Sequence, residues 1–169
     1  GSAVVVNQCD REGFTQYGTV AMYDTTDRGL TRSRNMAIAK SDADVCLLCD
    51  DDEEFVADYE QNILAAYERL PQADVIIFKM VNRPASFPDK VQELKFPKTM
   101  KVSSWQISFR RESLLRAGIR FDERMGAGTG NGAEEELKFL TDCRKAGLRI
   151  FYVPYAIASV AQTDSTWFA

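Results

Sequence analysis

The sequence predicts an α/β domain with a mostly parallel sheet. Three observations lead there. Short unbroken apolar runs recur ("AVVV", "DVCLLC", "DVIIFKMV"), stretches of helical spacing separate several of them, and polar or acidic residues follow the runs. Strands buried on both faces read as continuous apolar segments, and their alternation with helices favours parallel pairing.

Taken in order, residues 3–6 form the first strand, which ends in the polar "NQCD". "TVAMY" (19–23) is a second strand, and "TRSRNMAIAKS" is a helix with Thr31 as its expected N-cap. "DVCLLC" (44–49) is the next buried strand. A long helix follows, with Phe55, Tyr59, Ile63, Ala66, Tyr67 and Leu70 on one stripe, until Pro71 stops it. Residues 74–81 are a strand. Periodicity is lost from Asn82 to about Val102, where Pro84, Pro88 and Pro97 mark an irregular excursion. "WQISFRR" (105–111) is a strand, "ESLLRAG" is a short helix closed by Gly118, and a glycine-rich loop leads to a helix over 133–146. "LRIFYVP" (148–154) is the last strand, ended by Pro154.

A chain of 169 residues fits one domain with a real core. We read it as a single domain over 3–169, with residues 1–2 a tag remnant and no signal peptide. Hydrophobic residues at 45% and charged residues at 27% are a globular composition, and a net charge of −4 argues against a nucleic-acid partner. No apolar run approaches the ~20 residues of a spanning helix. Cys46 and Cys49 have C-x-x-C spacing, but side chains three apart on a strand face opposite ways, and the chain has no histidine. They read as small buried hydrophobes in a reducing cytoplasm.

Three features carry chemistry. Asp50, Asp51 and Asp52 stand where an apolar strand ends, the place where open α/β sheets gather ligands. Asp50 and Asp52 flank one residue and could turn toward one hard cation, Mn²⁺ or Mg²⁺. The competing reading, acidic residues in the first turn of a helix, suits Glu53 and Glu54 better than the aspartates. Arg34 shares a helix face with the apolar Ala37 and Ile38, so an anion must receive it. A bound diphosphate, a pairing with an aspartate and snorkelling to solvent all satisfy that need. In "GAGTGNGAEEELKFL", Glu136 precedes Leu140, Cys143 and Gly147 by four, seven and eleven positions, which puts it on the buried stripe. Glu135 lies beside that stripe and Glu134 further out. A carboxylate at the inner end of a helix beside a glycine loop is a general-base candidate.

The order of these motifs resembles the family two glycosyltransferases. The resemblance runs through "VVVNQCD", "DRGLTRSRNMAIAKSDADVCLLCDDDEEF", "SSWQISFRRESLLRAGIRFDERMG", "GAEEELKFLTDCRKAGLRIFYVP" and "STWF". It implies a three-layer α/β/α GT-A fold, Rossmann-like, with a mostly parallel mixed sheet. It also implies inverting, metal-dependent transfer of a sugar from a UDP- or GDP-sugar to a glycan or lipid-linked acceptor. Asp50 and Asp52 would hold the metal, and Asp51, Arg34, Asn35 and Asn7 would face the donor. Glu135 and Glu136 match the family's acidic pair, with Glu136 as base; a frame counted from Gly132 would choose Glu134. Bacterial surface polysaccharide synthesis is the pathway implied, in the cytoplasm or peripherally at the inner face of the membrane. Against the family pattern, the first strand here corresponds to the family's second, so a donor-binding strand and helix are missing, and a homodimer is one way to complete the open sheet edge. Asn7 and Gln8 replace aspartates that touch the base, and Gln162 or Asp164 stands nearest to the position of a family histidine. A non-catalytic nucleotide- or carbohydrate-binding module of the same fold, or a sugar nucleotidyltransferase, is the alternative.

Overall fold

The computed structural model describes residues 1–129 and 134–161. The expected helix start at Ala133, the Gly132 frame, Gln162, Asp164 and "STWF" lie outside the described residues. Two sheets are present. The smaller has the order β1–β3–β2, with β1 (Ala3–Gln8) parallel to β3 (Val20–Thr25) and β2 (Gly13–Tyr17) antiparallel to it. The larger has the order β4 (Val45–Leu47), β8 (Ile107–Arg110), β6 (Val75–Met80), β9 (Ile150–Val160), β5 (Glu53–Phe55), and β7 (Gln92–Glu93) also pairs with β9. Helices α1 (Leu30–Lys40), α2 (Tyr59–Arg69), α3 (Arg111–Ala117) and α4 (Glu135–Lys145) complete the α/β architecture.

The sheet is more mixed than the apolar runs suggested. Among the described residues, β1–β3 and β6–β9 are parallel and the other five pairings are antiparallel. An unbroken apolar run reports burial on both faces, and it is silent on strand direction. One strand was not anticipated, and three local expectations are corrected. The polar "GFTQY" forms β2 because Gly18, at φ 57°, supplies the tight reversal into β3. Glu53 and Glu54 lie on β5, paired with Val160 and Ser159, so helix α2 begins only at Tyr59 and the helix-charge account of these glutamates falls. Strand β9 runs through Pro154; the pairing with β6 shifts register between Ile77 and Lys79, and the irregularity accommodates a residue that cannot donate to the ladder. Thr31 is not the N-cap of α1. Gly29 is, at φ 116°, and the buried Thr31 hydroxyl donates to the Met125 carbonyl at 2.9 Å.

Two apolar clusters cover the larger sheet. One gathers Ile38, Leu48, Val75, Ile77, Phe109, Phe121, Phe139 and Leu140; the other gathers Ile63, Tyr67, Ile76, Phe78, Phe151 and Ile157. Alternate residues of β6 divide between them, as the two faces of a strand require. The cysteines are free; Cys143 is buried and Cys46 half-buried, but Cys49 is exposed, against its expected burial. No helix among the described residues is long and apolar enough to cross a membrane.

Phe139 stacks on Phe121 with centroids 4.3 Å apart and planes 6° from parallel, and both are fully buried. Phe139→Ala should therefore cost ~3–5 kcal/mol, measured by urea unfolding; a loss under about 1 kcal/mol would show that the helix does not rest on this stack.

Candidate active site

The C-terminal end of β4, the N-terminal half of α1 and the first turn of α4 converge on Arg34. Its side chain is only 7% exposed. Nη1 donates to Glu135 Oε1 at 3.4 Å and Glu136 Oε1 at 3.2 Å, and Nη2 donates to Asp50 Oδ1 at 3.4 Å. Below it, Arg34 Cζ lies 5.4 Å from the centroid of Phe121, a cation–π distance. Of the open alternatives for this inward arginine, pairing with carboxylates is the one found, and it involves both acidic motifs at once. Residues 16, 101 and 102 positions away in sequence are thereby joined.

The neighbouring Asn35 is committed to a different task. Its Nδ2 donates to the Phe121 carbonyl at 2.9 Å and to Glu123 Oε1 at 3.0 Å, and its Oδ1 accepts the Phe121 amide at 2.8 Å. Asn35 thus fixes the ring on which Arg34 rests. Asn7 stands away from the Arg34 cluster, donating to Asp24 Oδ1 at 2.7 Å. Asp24 is buried and also accepts from Arg11 Nε at 2.7 Å. These two contacts, Asn7 first, hold its carboxyl below the usual range. Sequence reasoning missed Asp24, since an aspartate inside the strand-like "AMYDT" carries no motif.

Asp50 is held on both oxygens, Oδ1 by Arg34 and Oδ2 by the Ser104 hydroxyl at 3.2 Å. Its amide donates to Glu53 Oε1 at 2.9 Å, closing the turn that displays Asp51 and Asp52. Burial pushes the Glu53 carboxyl up to about 7; the amide opposes this, and Asp50 and Asp52 add to it. Asp51 is exposed and Asp52 half-exposed. Among the described residues no group of three Asp, Glu, Cys or His side chains forms a metal cage. Hard cations that keep water and take one or two carboxylates with substrate phosphates need no such cage, so the oxygen donors of Asp50 and Asp52 fit Mn²⁺ or Mg²⁺ in that mode.

Glycines bring the α4 entry against α1. Gly126, at φ 95°, leaves so little room that a Cβ there would sit 3.2 Å from Thr31 Cγ2 and 3.4 Å from Glu135 Cδ. Glu134 takes a left-handed φ of 95°, rare for a side-chain-bearing residue, immediately before the helix. Burial within the acidic pair is the reverse of the stripe reading: the Glu135 side chain is 1% exposed and that of Glu136 16%. Glu135 sits one turn before Phe139 and Glu136 one turn before Leu140, both in the core, so the helical stripe alone does not separate the two carboxylates. Burial, then the charge of Glu136, raises the Glu135 pKa above its ordinary value although Arg34 opposes the shift.

A glycosyltransferase fold of the GT-A, nucleotide-diphospho-sugar type is the class this arrangement defines. The family described as "Glycosyl transferase family 2" matches residues 6–126. The chain belongs to glycosyl transferase family 2. Among solved structures, S. aureus TarS 1-349 in complex with UDP-GlcNAc superposes with a TM-score of 0.77 at 18% identity, over 98% of this chain and 51% of that one. TarS 1-349 in complex with UDP gives 0.72 at 19% identity, over 94% and 50% of the two chains. S. aureus TarS gives 0.73 at 19% identity, over 96% and 31%. The chain therefore spans about half of the 1-349 chains. No curated protein matches by sequence.

Two predictions test the cluster. Arg34→Met leaves enclosed carboxylates without a cation and should cost ~3–5 kcal/mol at neutral pH, read by urea unfolding. Because folding raises the Glu135 pKa, the folded chain binds more protons than the unfolded one above the ordinary glutamate pKa. The contribution of Glu135 to stability is thus complete in acid and is lost as pH rises through the raised value. Glu135→Gln should flatten the fall in stability on raising pH from below 4.5 toward neutrality; an unchanged pH profile would contradict the assignment.

Proposed function

We propose that this domain transfers a sugar from a nucleotide-diphosphate donor to an acceptor hydroxyl, with inversion at the anomeric carbon. The observation that carries the reading is the single Arg34 guanidinium joining Asp50, at the strand end, to Glu135 and Glu136, at the head of α4. A donor group and a base group are thereby within one side chain's reach of each other. Family membership and the fold shared with a UDP-GlcNAc complex support the same reading and favour UDP over GDP.

In this scheme Asp50 and Asp52 hold Mn²⁺ or Mg²⁺ with the donor diphosphate, and Asp51 stands exposed beside them. When bound, the metal supplies charge neutralisation for the leaving diphosphate. Arg34 presents donors in a planar fork suited to a phosphate. Its carboxylate contacts of 3.2–3.4 Å are longer than the ~2.7–2.9 Å of tight charge-assisted bonds, so a diphosphate can share its donors while Glu135 keeps the side chain in place. Glu136, the more accessible glutamate, takes the proton of the acceptor hydroxyl. The oxygen forms its bond to the anomeric carbon from the face opposite the diphosphate, which leaves with the electron pair of the broken carbon–oxygen bond. Glu135 stays enclosed and holds Arg34; Asn35 acts through Phe121 rather than on the donor. Asn7 faces the donor only through its pairing with Asp24. A glycan or lipid-linked acceptor, bacterial surface polysaccharide synthesis and a place in the cytoplasm at the inner face of the membrane belong to the same proposal, on family grounds.

One observation favours a second reading, a non-catalytic nucleotide- or carbohydrate-binding module: both glutamates are already engaged by one arginine. Calorimetric titration of UDP with and without Mn²⁺ addresses the shared part of both readings. Metal-dependent binding that Asp52→Asn abolishes, with the fold intact, is expected; binding indifferent to that change would remove the metal role. Release of UDP from UDP-GlcNAc, the donor of the fold neighbour, separates the two readings. Glu136→Gln should keep donor binding and lower turnover ~10²–10⁴-fold, whereas a module would show no turnover in either form.

A further inference from the structure

Near Ser104, whose hydroxyl bonds Asp50, lies a concavity that the donor scheme does not use. It has a volume of about 200 Å³, and Lys79, Met80, Arg83, Ser103, Trp105 and Tyr152 are among its lining residues. The donor site and this cavity are adjacent in the chain: Ser104, which bonds Asp50, directly precedes Trp105. The volume falls below the ~300–1,000 Å³ of ordinary ligand pockets, which suits a single ring and not a nucleotide.

Three features make it a built site. Tyr152 is 1% exposed and lines the cavity, and its buried hydroxyl has no hydrogen-bond partner among the described residues. Buried phenol hydroxyls normally have partners, so an oxygen arriving in the cavity would satisfy this one. Trp105 is half-buried and offers the broad aromatic face on which a sugar ring packs its C–H side. Among the described residues the lining also holds two cations and no carboxylate. Arg83 stacks 5.6 Å over the Trp105 ring, and Lys79 pairs at 3.5 Å with Asp89, which lies just outside. Asp89 offsets part of the positive charge of Lys79. Gln106 adds little, because its amide is already shared between the Phe78 carbonyl and the Ser103 amide.

We propose that this cavity binds an acidic monosaccharide unit of the acceptor, with its ring on Trp105, a hydroxyl accepting from Tyr152, and its phosphate or carboxylate toward Arg83 and Lys79. The inference rests on the transferase reading for the word acceptor, but the binding it predicts does not. A charged unit held here lies one residue along the chain from Ser104, whose hydroxyl bonds Asp50.

The chain has two tryptophans, so Trp167→Phe leaves Trp105 as the only indole and its fluorescence as a local reporter. Glucuronate, glucose 6-phosphate, glucose and inorganic phosphate are titrated into that variant, and UDP with Mn²⁺ is titrated calorimetrically alongside. Saturable quenching by glucuronate or glucose 6-phosphate, at least about tenfold tighter than by glucose or phosphate alone, is expected. The tighter of the two identifies the acidic group as carboxylate or phosphate. Tyr152→Phe should weaken that binding roughly 3–10-fold and leave unfolding stability unchanged, because the hydroxyl it removes bonds nothing among the described residues. Arg83→Gln should abolish the preference for the acidic sugars over glucose. Equal binding of glucose and the acidic sugars, or no saturable quenching by either acidic sugar, overturns the proposal. If UDP still binds in that case, the donor reading survives alone; if acidic sugars bind and UDP does not, the cavity stands and the transferase reading falls.

Discussion

A cation enclosed at 7% exposure must be paid for by anions, and the arrangement around Arg34 follows from that constraint. Three carboxylates surround one guanidinium, so the cluster is over-compensated when all are ionised. The raised pKa of Glu135 is one relief of that imbalance. A second cation near Asp50 would be another, and the pair of partly exposed aspartates that follows in sequence is where it would be received. Excess negative charge is thus what one would look for in a site that is complete only when a metal arrives with its anionic substrate. The aspartates and the glutamates are for this reason one electrostatic system, although the chain writes them far apart.

Helix α1 is the element that makes the system possible. The two sheets share no strand pairing among the described residues: β1 pairs only with β3, and β4 only with β8. Helix α1 packs on β1, yet its Ile38 belongs to the core cluster of the larger sheet. The same helix is tied at its start to the loop before α4, by the Leu30 amide to the Ala127 carbonyl at 3.1 Å and by Thr31 to Met125. Gly29 and Gly128 allow that approach; a Cβ on Gly128 would lie 3.4 Å from the Gly29 Cα. Asn35, one residue beyond Arg34, fastens the 121–123 segment as well. A helix bound to both sheets and to the α4 loop can hold one guanidinium at the meeting point of all three.

How much of this was legible in the sequence depends on the range of the interaction. The inward face of Arg34 followed from its spacing to Ala37 and Ile38, and the strand-end aspartates followed from an apolar run meeting charge; both are local patterns. The αL closure of α3 at Gly118 was equally local. What escaped needed tertiary information. Glu53 and Glu54 became a strand because β9 offered them an edge, and the apolar Phe55 and Tyr59, which stack at 4.3 Å, fit a helical stripe just as well as a strand followed by a turn. Pro154 should have ended a strand, yet an irregularity in the β6–β9 pairing absorbs it. Asn35 could be placed next to Arg34, but its commitment to Phe121, 86 residues away, left no mark on the local pattern. Ser104 and Asp24 gave no signal for the same reason.

The two glutamates at the head of α4 show what a single helical step decides. Glu135 and Glu136 have the same chemistry and the same arginine, but adjacent helix positions point about 100° apart. One step leaves Glu135 at 1% exposure, where desolvation disfavours its charged form. The other leaves Glu136 at 16% exposure, able to meet an incoming hydroxyl. On the proposed scheme the enclosed carboxylate holds Arg34 in place while its neighbour exchanges a proton. Environments that separate two like acids in this way would let one sequence motif supply both a support and a base. Glu134, in the left-handed region at φ 95°, is the N-cap from which that helix starts.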